Sequence, residues 1–279
     1  MKMILVLLLC AITVYSAEKE IIKIPVKINQ IDGAEMVYVQ AGKFMMGTDD
    51  KDIAAMLEKN KEWKAKWFVT EGPKHEVELS GYWVYKYEVT VAQYKKFCAA
   101  TKRKMPSLYP WVTDAHPMIN VTWSDADEYA RWAKAKLPTE AQWEKAARGT
   151  DGRIYPWGND WANDNCNNYG SKYQIKPNDA KNKENKTTVV GKCPQSASPY
   201  GAQDMAGNAW EWCRDWYDSD YYKTSPAKNP QGPDDGEMKV MRGGSWGSYA
   251  ISVRCASRHS DLPDLTYVDS GGFRCVVED

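Results

Sequence analysis

Leu137-Pro-Thr-Glu-Ala-Gln-Trp-Glu-Lys-Ala-Ala-Arg-Gly149 is where this sequence changes character. Pro138, Thr139 and Gln142 have the spacing of a helix start: the Thr hydroxyl can accept from the first-turn backbone and the Gln can reach back. Gly149 suits the left-handed residue that closes such a helix. Before this stretch, periodic segments dominate. After it, Gly, Asn, Pro, Asp and Trp dominate and regular periodicity is scarce. A loop-rich half of that kind needs internal staples, either metal or dense polar networks. No linker, repeat or low-complexity tract separates the halves. Residues 18–279 therefore read as one α+β domain with short sheets and a loop-rich C-terminal half.

Working back toward the N-terminus, a helix is expected from Ser124, with Asp125, Asp127 and Glu128 in its first turn, where carboxylates complement the helix dipole. Ala126, Tyr129, Ala130 and Ala133 form its apolar stripe. Thr90-Val-Ala-Gln93 has capping-box spacing, and Tyr94, Phe97 and Cys98 follow on one face. Tyr82-Trp-Val-Tyr85, His75-Glu-Val-Glu-Leu79 and Met36-Val-Tyr-Val39 read as strands. Ile22, Ile24, Val26 and Ile28 alternate with polar residues and predict a half-buried strand. Residues 50–70, rich in lysine, read as a helical insertion with a solvated face. At the start, Lys2 precedes an apolar run, 3–14, too short to span a bilayer and ending near Ser16 and Ala17. Residues 1–17 thus read as a signal peptide. The alternative is lipidation of Cys10, which follows Leu7-Leu8-Leu9 and would attach the protein to a membrane. Either way the protein is exported, to the cell surface or outer envelope.

The formal net charge is zero, which gives no electrostatic reason to expect nucleic acid. Tryptophan and tyrosine far outnumber phenylalanine (13 and 17 against 4), so large rings must fill much of the core. Of the seven cysteines, Cys10 lies in the leader and the other six make an even set, compatible with bridges. No CxxC occurs, and the histidines His75, His116 and His259 stand far apart, so no zinc site is expected.

Several stretches resemble, in order, the formylglycine-generating-enzyme (sulfatase-modifying) family. They are Val39-Gln-Ala-Gly-Lys-Phe-Met-Met-Gly47, Tyr87-Glu-Val-Thr-Val-Ala-Gln-Tyr94, His116-Pro-Met-Ile-Asn-Val-Thr-Trp123, the 137–149 stretch, Tyr155-Pro-Trp-Gly-Asn159, Gly207-Asn-Ala-Trp-Glu-Trp212, Arg242-Gly-Gly-Ser-Trp246 and Gly272-Phe-Arg274. The resemblance implies a C-type-lectin-like α+β fold with two main helices and short antiparallel sheets. It also implies structural calcium in the Gly-Asn-Ala-Trp-Glu loop. Carboxylates of Asp204 and Glu211 and carbonyls of Gly207 and Ala209 supply the oxygen ligands that calcium needs. A second family calcium site falls near Asn167.

The chemistry departs from the family. Its enzymes oxidise a substrate cysteine with copper held by two cysteines placed after the Gly-Gly-Ser motif. Here that segment reads Gly243-Gly-Ser-Trp-Gly-Ser-Tyr-Ala-Ile-Ser-Val-Arg-Cys-Ala-Ser-Arg258 and has no cysteine at either catalytic place. Serine is no useful ligand for Cu(I), so no copper and no oxidase activity are expected. Cys255 and Cys275 match structural positions of the family, with Ala130 and Ala147 standing where their disulfide partners would align.

Residues 247–277 contain no Lys, Gln, Glu, Met or Trp. Family-type residues (Arg254, Ala256, Arg258, Pro263, Gly272, Phe273, Arg274) alternate with a scattered set: Gly247, Ser248, Tyr249, Ile251, Ser252, Ser257, His259, Ser260, Asp261, Leu262, Leu265, Thr266, Tyr267, Val268 and Asp269. Every scattered residue can be written by a codon ending in C, and the five missing types cannot. This resembles the variable proteins of diversity-generating retroelements, most like the spirochaete kind, in which one C-terminal segment of a lectin-fold protein is diversified. The resemblance implies a non-catalytic, receptor- or adhesin-like protein. Its variable residues from 247 to 269 would contact an extracellular ligand, a protein or a host or bacterial surface molecule, with Tyr249, His259 and Tyr267 as amphipathic contacts and Ile251, Leu262 and Leu265 as apolar anchors. Two other readings stay open: a fixed-specificity envelope or structural protein, and a copper oxidase using Cys213 or Cys255.

Overall fold

The computed structural model describes residues 24–172, 186–265 and 270–278. Residues 1–23, with Cys10 and Ile22, and residues Thr266, Tyr267, Val268 and Asp269 lie outside the described residues.

Three sheets carry the fold. β1 (Val26–Ile28), β2 (Glu35–Val39), β5 (Tyr82–Tyr85) and β10 (Val276–Glu278) form an antiparallel sheet in the order β1-β2-β5-β10. The last strand of the chain therefore lies against the first sheet. β3 (Gly42–Met46) pairs with β4 (His75–Leu79). The third sheet has the order β8-β7-β6-β9, with β6 (Trp210–Trp216), β7 (Lys239–Arg242), β8 (His259–Asp261) and β9 (Gly271–Gly272). Two expectations need correction here. The sheets are not wholly antiparallel, because β6 and β9 run parallel (Trp210 opposite Gly271, Glu211 opposite Gly272). Val26 and Ile28 do not alternate with exposed neighbours: all three residues of β1 are exposed, since this edge strand pairs only with β2.

Among the described residues four α-helices, of 10, 11, 10 and 9 residues, form where the sequence reading placed them: α1 (Asp50–Lys59) in the 50–70 insertion, the two main helices α2 (Val91–Thr101) and α3 (Trp123–Trp132), and the shorter α4 (Glu140–Arg148). The last three start at capping boxes, Thr90 with Gln93, Thr122 with Asp125 and Thr139 with Gln142. The α3 cap is Thr122, so that helix begins one residue before Ser124; Asp125 is the reciprocal acceptor of the cap rather than only a dipole partner. α4 ends at Gly149, whose φ of 70° needs a residue without Cβ strain. Every residue of α4 is buried, Glu140, Glu144, Lys145 and Arg148 included, because the helix packs against β3, β6 and β7.

The core has two main parts. One gathers Tyr94, Phe97, Tyr129 and Phe273 around α2 and α3; the other gathers Val77, Val84, Trp143 and Val240 around α4. The six described cysteines are all buried. Cys275 shares a cluster with Ala130, and Cys255 with Ala147, so the expected partner positions do lie in the same layers but carry no sulfur.

Candidate functional site

The segment after β7 folds as a run of turns. Ser245 N–H donates to Ser248 Oγ (2.9 Å), Ser252 N–H to the Tyr249 carbonyl (2.9 Å), and Arg254 Nε to the Ile251 carbonyl (2.8 Å). Within it the two residue sets separate. Arg254, Ala256, Phe273 and Arg274 are buried, as is the side chain of Arg258. Tyr249 is 61% exposed and Leu262 49%, His259 is exposed, and Ile251, Ser252, Ser260, Asp261 and Leu265 are half-buried. Ser248 and Ser257 break the expectation of surface ligand contacts: they are 9% and 8% exposed. Ser248 is spent on holding the turn at Ser245, and Ser257 closes the turn from Arg254. Tyr267 and Val268 lie outside the described residues.

Two exposed groups result. Around Tyr249, the Tyr169 ring packs at 4.7 Å, and Tyr169 N–H donates to the Ser248 carbonyl (2.9 Å). On the edge strand β8, His259 packs on Trp210 at 4.8 Å. The Trp246 N–H to Asn208 carbonyl bond (3.0 Å) ties the first group to the loop that leads into Trp210. Tyr169 and Trp210 escaped the sequence reading. Trp210 stands in a quoted motif, but only the β6–β7–β8 pairing brings it under His259.

Beneath this surface lies a set of guanidinium–carboxylate pairs. Arg274 clamps Glu211 (2.6 Å to each oxygen), Arg254 clamps Glu71 (2.5 and 2.9 Å), and Arg258 clamps Glu140 (2.7 and 2.9 Å). Arg242 donates to Glu144 (2.5 Å) and to the Cys255 and Ala256 carbonyls. These charges are almost fully removed from water, so each pair holds only because geometry and extra hydrogen bonds offset desolvation.

The predicted calcium ligands sit in this layer. Glu211 is already bidentate with Arg274 and also accepts from Trp143 Nε1 (2.7 Å). Asp204 accepts from Gly191 N–H (2.5 Å). Gly207, with φ 75°, passes so close to Asn167 that a Cβ would lie 2.2 Å from its carbonyl oxygen. Among the described residues no three Asp, Glu, His or Cys side chains form a ready-made metal cage. Yet the charge is unbalanced: Glu88 is buried beside Asp204 and Glu211, and its Oε2 has no hydrogen-bond partner among the described residues. Burial and then the neighbouring carboxylates push the Glu88 pKa well up, and burial raises that of Asp204 to about 6.

The two cysteines offered for catalysis are buried. The thiol of Cys255 is pushed up to about 12, and that of Cys213 well above its ordinary value. Neither reaches the surface.

The family described as sulfatase-modifying factor enzyme 1-like domain matches residues 24–279. The chain is 32% identical to the formylglycine-generating enzyme of Thermomonospora curvata, over 87% of this chain and 93% of that one. It is also 32% identical to a serine/threonine-protein kinase, pkn1, of Chlamydia caviae, over 87% of this chain but only 38% of that protein's length. Among solved structures, Treponema denticola variable protein 1 shares the fold at a TM-score of 0.67 and 20% identity, covering 91% of this chain and 99% of that one.

Proposed function

The chain belongs to the sulfatase-modifying factor enzyme 1-like domain family, and from that premise we propose that it is an exported, non-catalytic ligand-binding protein whose 247–269 surface is diversified. One observation carries the reading. Across one segment most family-type residues are buried in ion pairs and core, while of the eleven described members of the scattered set four are exposed, five half-buried and two, Ser248 and Ser257, buried. A diversified surface needs that partition: exchangeable side chains must stand where they do not affect folding. The family's fold, shared with a variable protein of Treponema denticola, supports it.

The loss of oxidase chemistry rests on the chain's own residues. No cysteine stands between Gly243 and Arg254. Cys213 and Cys255 are buried with raised thiol pKa values, the opposite of what a thiolate nucleophile or copper ligand needs. Binding would use the Tyr249–Tyr169 pair and the His259–Trp210 pair as rigid amphipathic contacts, with Leu262 as an apolar anchor. Export follows from the apolar run at 3–14, with either cleavage or lipidation at Cys10.

The test is sequencing of this gene from sister clones, with the DNA downstream. Substitutions confined to the scattered positions, beside a near-copy of the codons for 243–274, would support diversification. An identical segment in every clone with no such copy would remove it. For calcium, the structural ion proposed at Asp204, Gly207, Ala209 and Glu211 should raise the melting temperature when added and lower it when chelated. A melting temperature indifferent to both would discard the ion.

A further inference from the structure

The 50–70 insertion does more than present a solvated face. α1 buries Met56, and with Trp63 it walls a cavity of about 400 Å³ against the Tyr155-Pro-Trp-Gly-Asn159 loop. That volume falls within the range of small-ligand sites. Arg254, paired with Glu71, lines it, and neither Tyr249 nor His259 does.

We infer that this cavity binds a neutral sugar ring. Its aromatic wall is pre-organised: Tyr155 stacks on Trp157 at 5.1 Å, and Trp161 leans on Tyr155 at 5.1 Å. Trp161 and, across the cavity, Trp63 are only half-buried, which leaves ring surface for an apolar C–H face. The polar atoms are of both kinds. Asn60 spends its Nδ2 on the Met56 carbonyl (3.0 Å), and Asn159 spends its Oδ1 on Ile154 N–H (3.0 Å). Among the described residues this leaves Asn60 Oδ1 as an acceptor and Asn159 Nδ2 as a donor, while Arg148, also in the wall, has a buried Nε with no acceptor. Sugar hydroxyls, each both donor and acceptor, satisfy such a mixture.

Charge excludes the other classes. Each ionised group lining the cavity has its counter-ion: Arg254 with Glu71, Arg148 with Glu144, Asp52 with Lys74, and Lys59 with Asp160. An anion or cation would therefore meet charges that already have partners. An organic cation would also face the two guanidiniums, and a wholly apolar ring would leave the amide and guanidinium atoms unpaired.

The measurement is titration of the full chain with glucose, galactose, N-acetylglucosamine and maltose, followed by tryptophan fluorescence and saturation-transfer NMR. Saturable binding of at least one of them is expected, with Kd of the order of millimolar. Ala55 is an exposed helix residue on the cavity wall, so Ala55→Trp should fill the space without unfolding the protein. It should weaken that binding by more than about tenfold at an unchanged melting temperature, and Trp161→Ala should weaken it in the same direction. Tyr249→Ala should leave it unaltered, which separates this site from the diversified surface. No binding by any of the four sugars, or full binding by Ala55→Trp, would overturn the inference. So would equal binding of glucosamine and glucuronate, since a charged ring should not be tolerated.

Discussion

Arg254 and Tyr249 stand five positions apart in one run of turns, yet they answer to different constraints. Arg254 is buried, clamped on Glu71 and packed over the Phe68 ring at 4.4 Å. Tyr249 is mostly exposed and touches Tyr169. The same contrast recurs between Arg258 and His259, which are adjacent. A loop-rich half without described disulfides needs some other staple, and the guanidinium–carboxylate pairs fill that role. They anchor the backbone at a few fixed positions, while Tyr249 and His259 beside them stand exposed.

The contrast is most easily broken from the buried side. Arg274→Met should be the most damaging change, because Glu211 would stay buried without its cation; a loss of about 3–5 kcal/mol is expected in urea unfolding. A loss no larger than that of Tyr249→Ala would mean that the pairs do not hold the fold. Gly207→Ala should cost about 1–3 kcal/mol or more, from a positive φ and a Cβ forced against the Asn167 carbonyl. Its melting curve, with and without calcium, would also show whether that close approach shapes an ion site.

The buried carboxyls sharpen the comparison through pH. Burial, then the charge of Glu140, raises Asp215 to about 7, and burial raises Asp204 to about 6. Unfolded aspartates titrate near about 4, so between about pH 4 and 7 the folded state holds more protons than the unfolded one. Stability should therefore be fullest below that window and fall as pH rises through it. Asp215→Asn, which keeps an acceptor for Glu140 N–H, should flatten part of the slope; an unchanged slope would show that Asp215 ionises normally. The smallest stability effects belong to the exposed set. Tyr249→Ala, His259→Ala and Leu262→Ala should each shift unfolding by about 0.5 kcal/mol or less while weakening capture of any ligand selected on the native surface. A large destabilisation by Tyr249→Ala would merge the two classes.

Some of this was readable from local spacing. The boxes at Thr90 and Thr139 and the stop at Gly149 were visible because a cap and its partner lie three residues apart. The division of 247–269 into two sets was also visible, since family-type residues and missing residue types are properties of the string. Ser248 was misplaced because a hydroxyl that closes a turn reads the same as one that faces water, and Ser257 because tertiary packing buries it while its backbone N–H closes the turn from Arg254. The lysines of 50–70 pointed to solvent, and the wall that α1 makes was hidden, since its counterpart at Tyr155–Trp161 lies about a hundred residues away.

By itself, then, the sequence determined the α+β class, the order of the family motifs, two helix starts and the absence of the cysteine pair, all of which depend on short-range spacing or on composition. Only the tertiary structure decided which arginine meets which glutamate. Those partners are separated by 63 residues for Arg274 and Glu211, 118 for Arg258 and Glu140, and 183 for Arg254 and Glu71. It also decided the parallel pairing of β6 with β9 and the cavity behind α1. No periodicity in a chain encodes contacts of that range; they form when burial brings distant segments together and each buried charge must find its partner there.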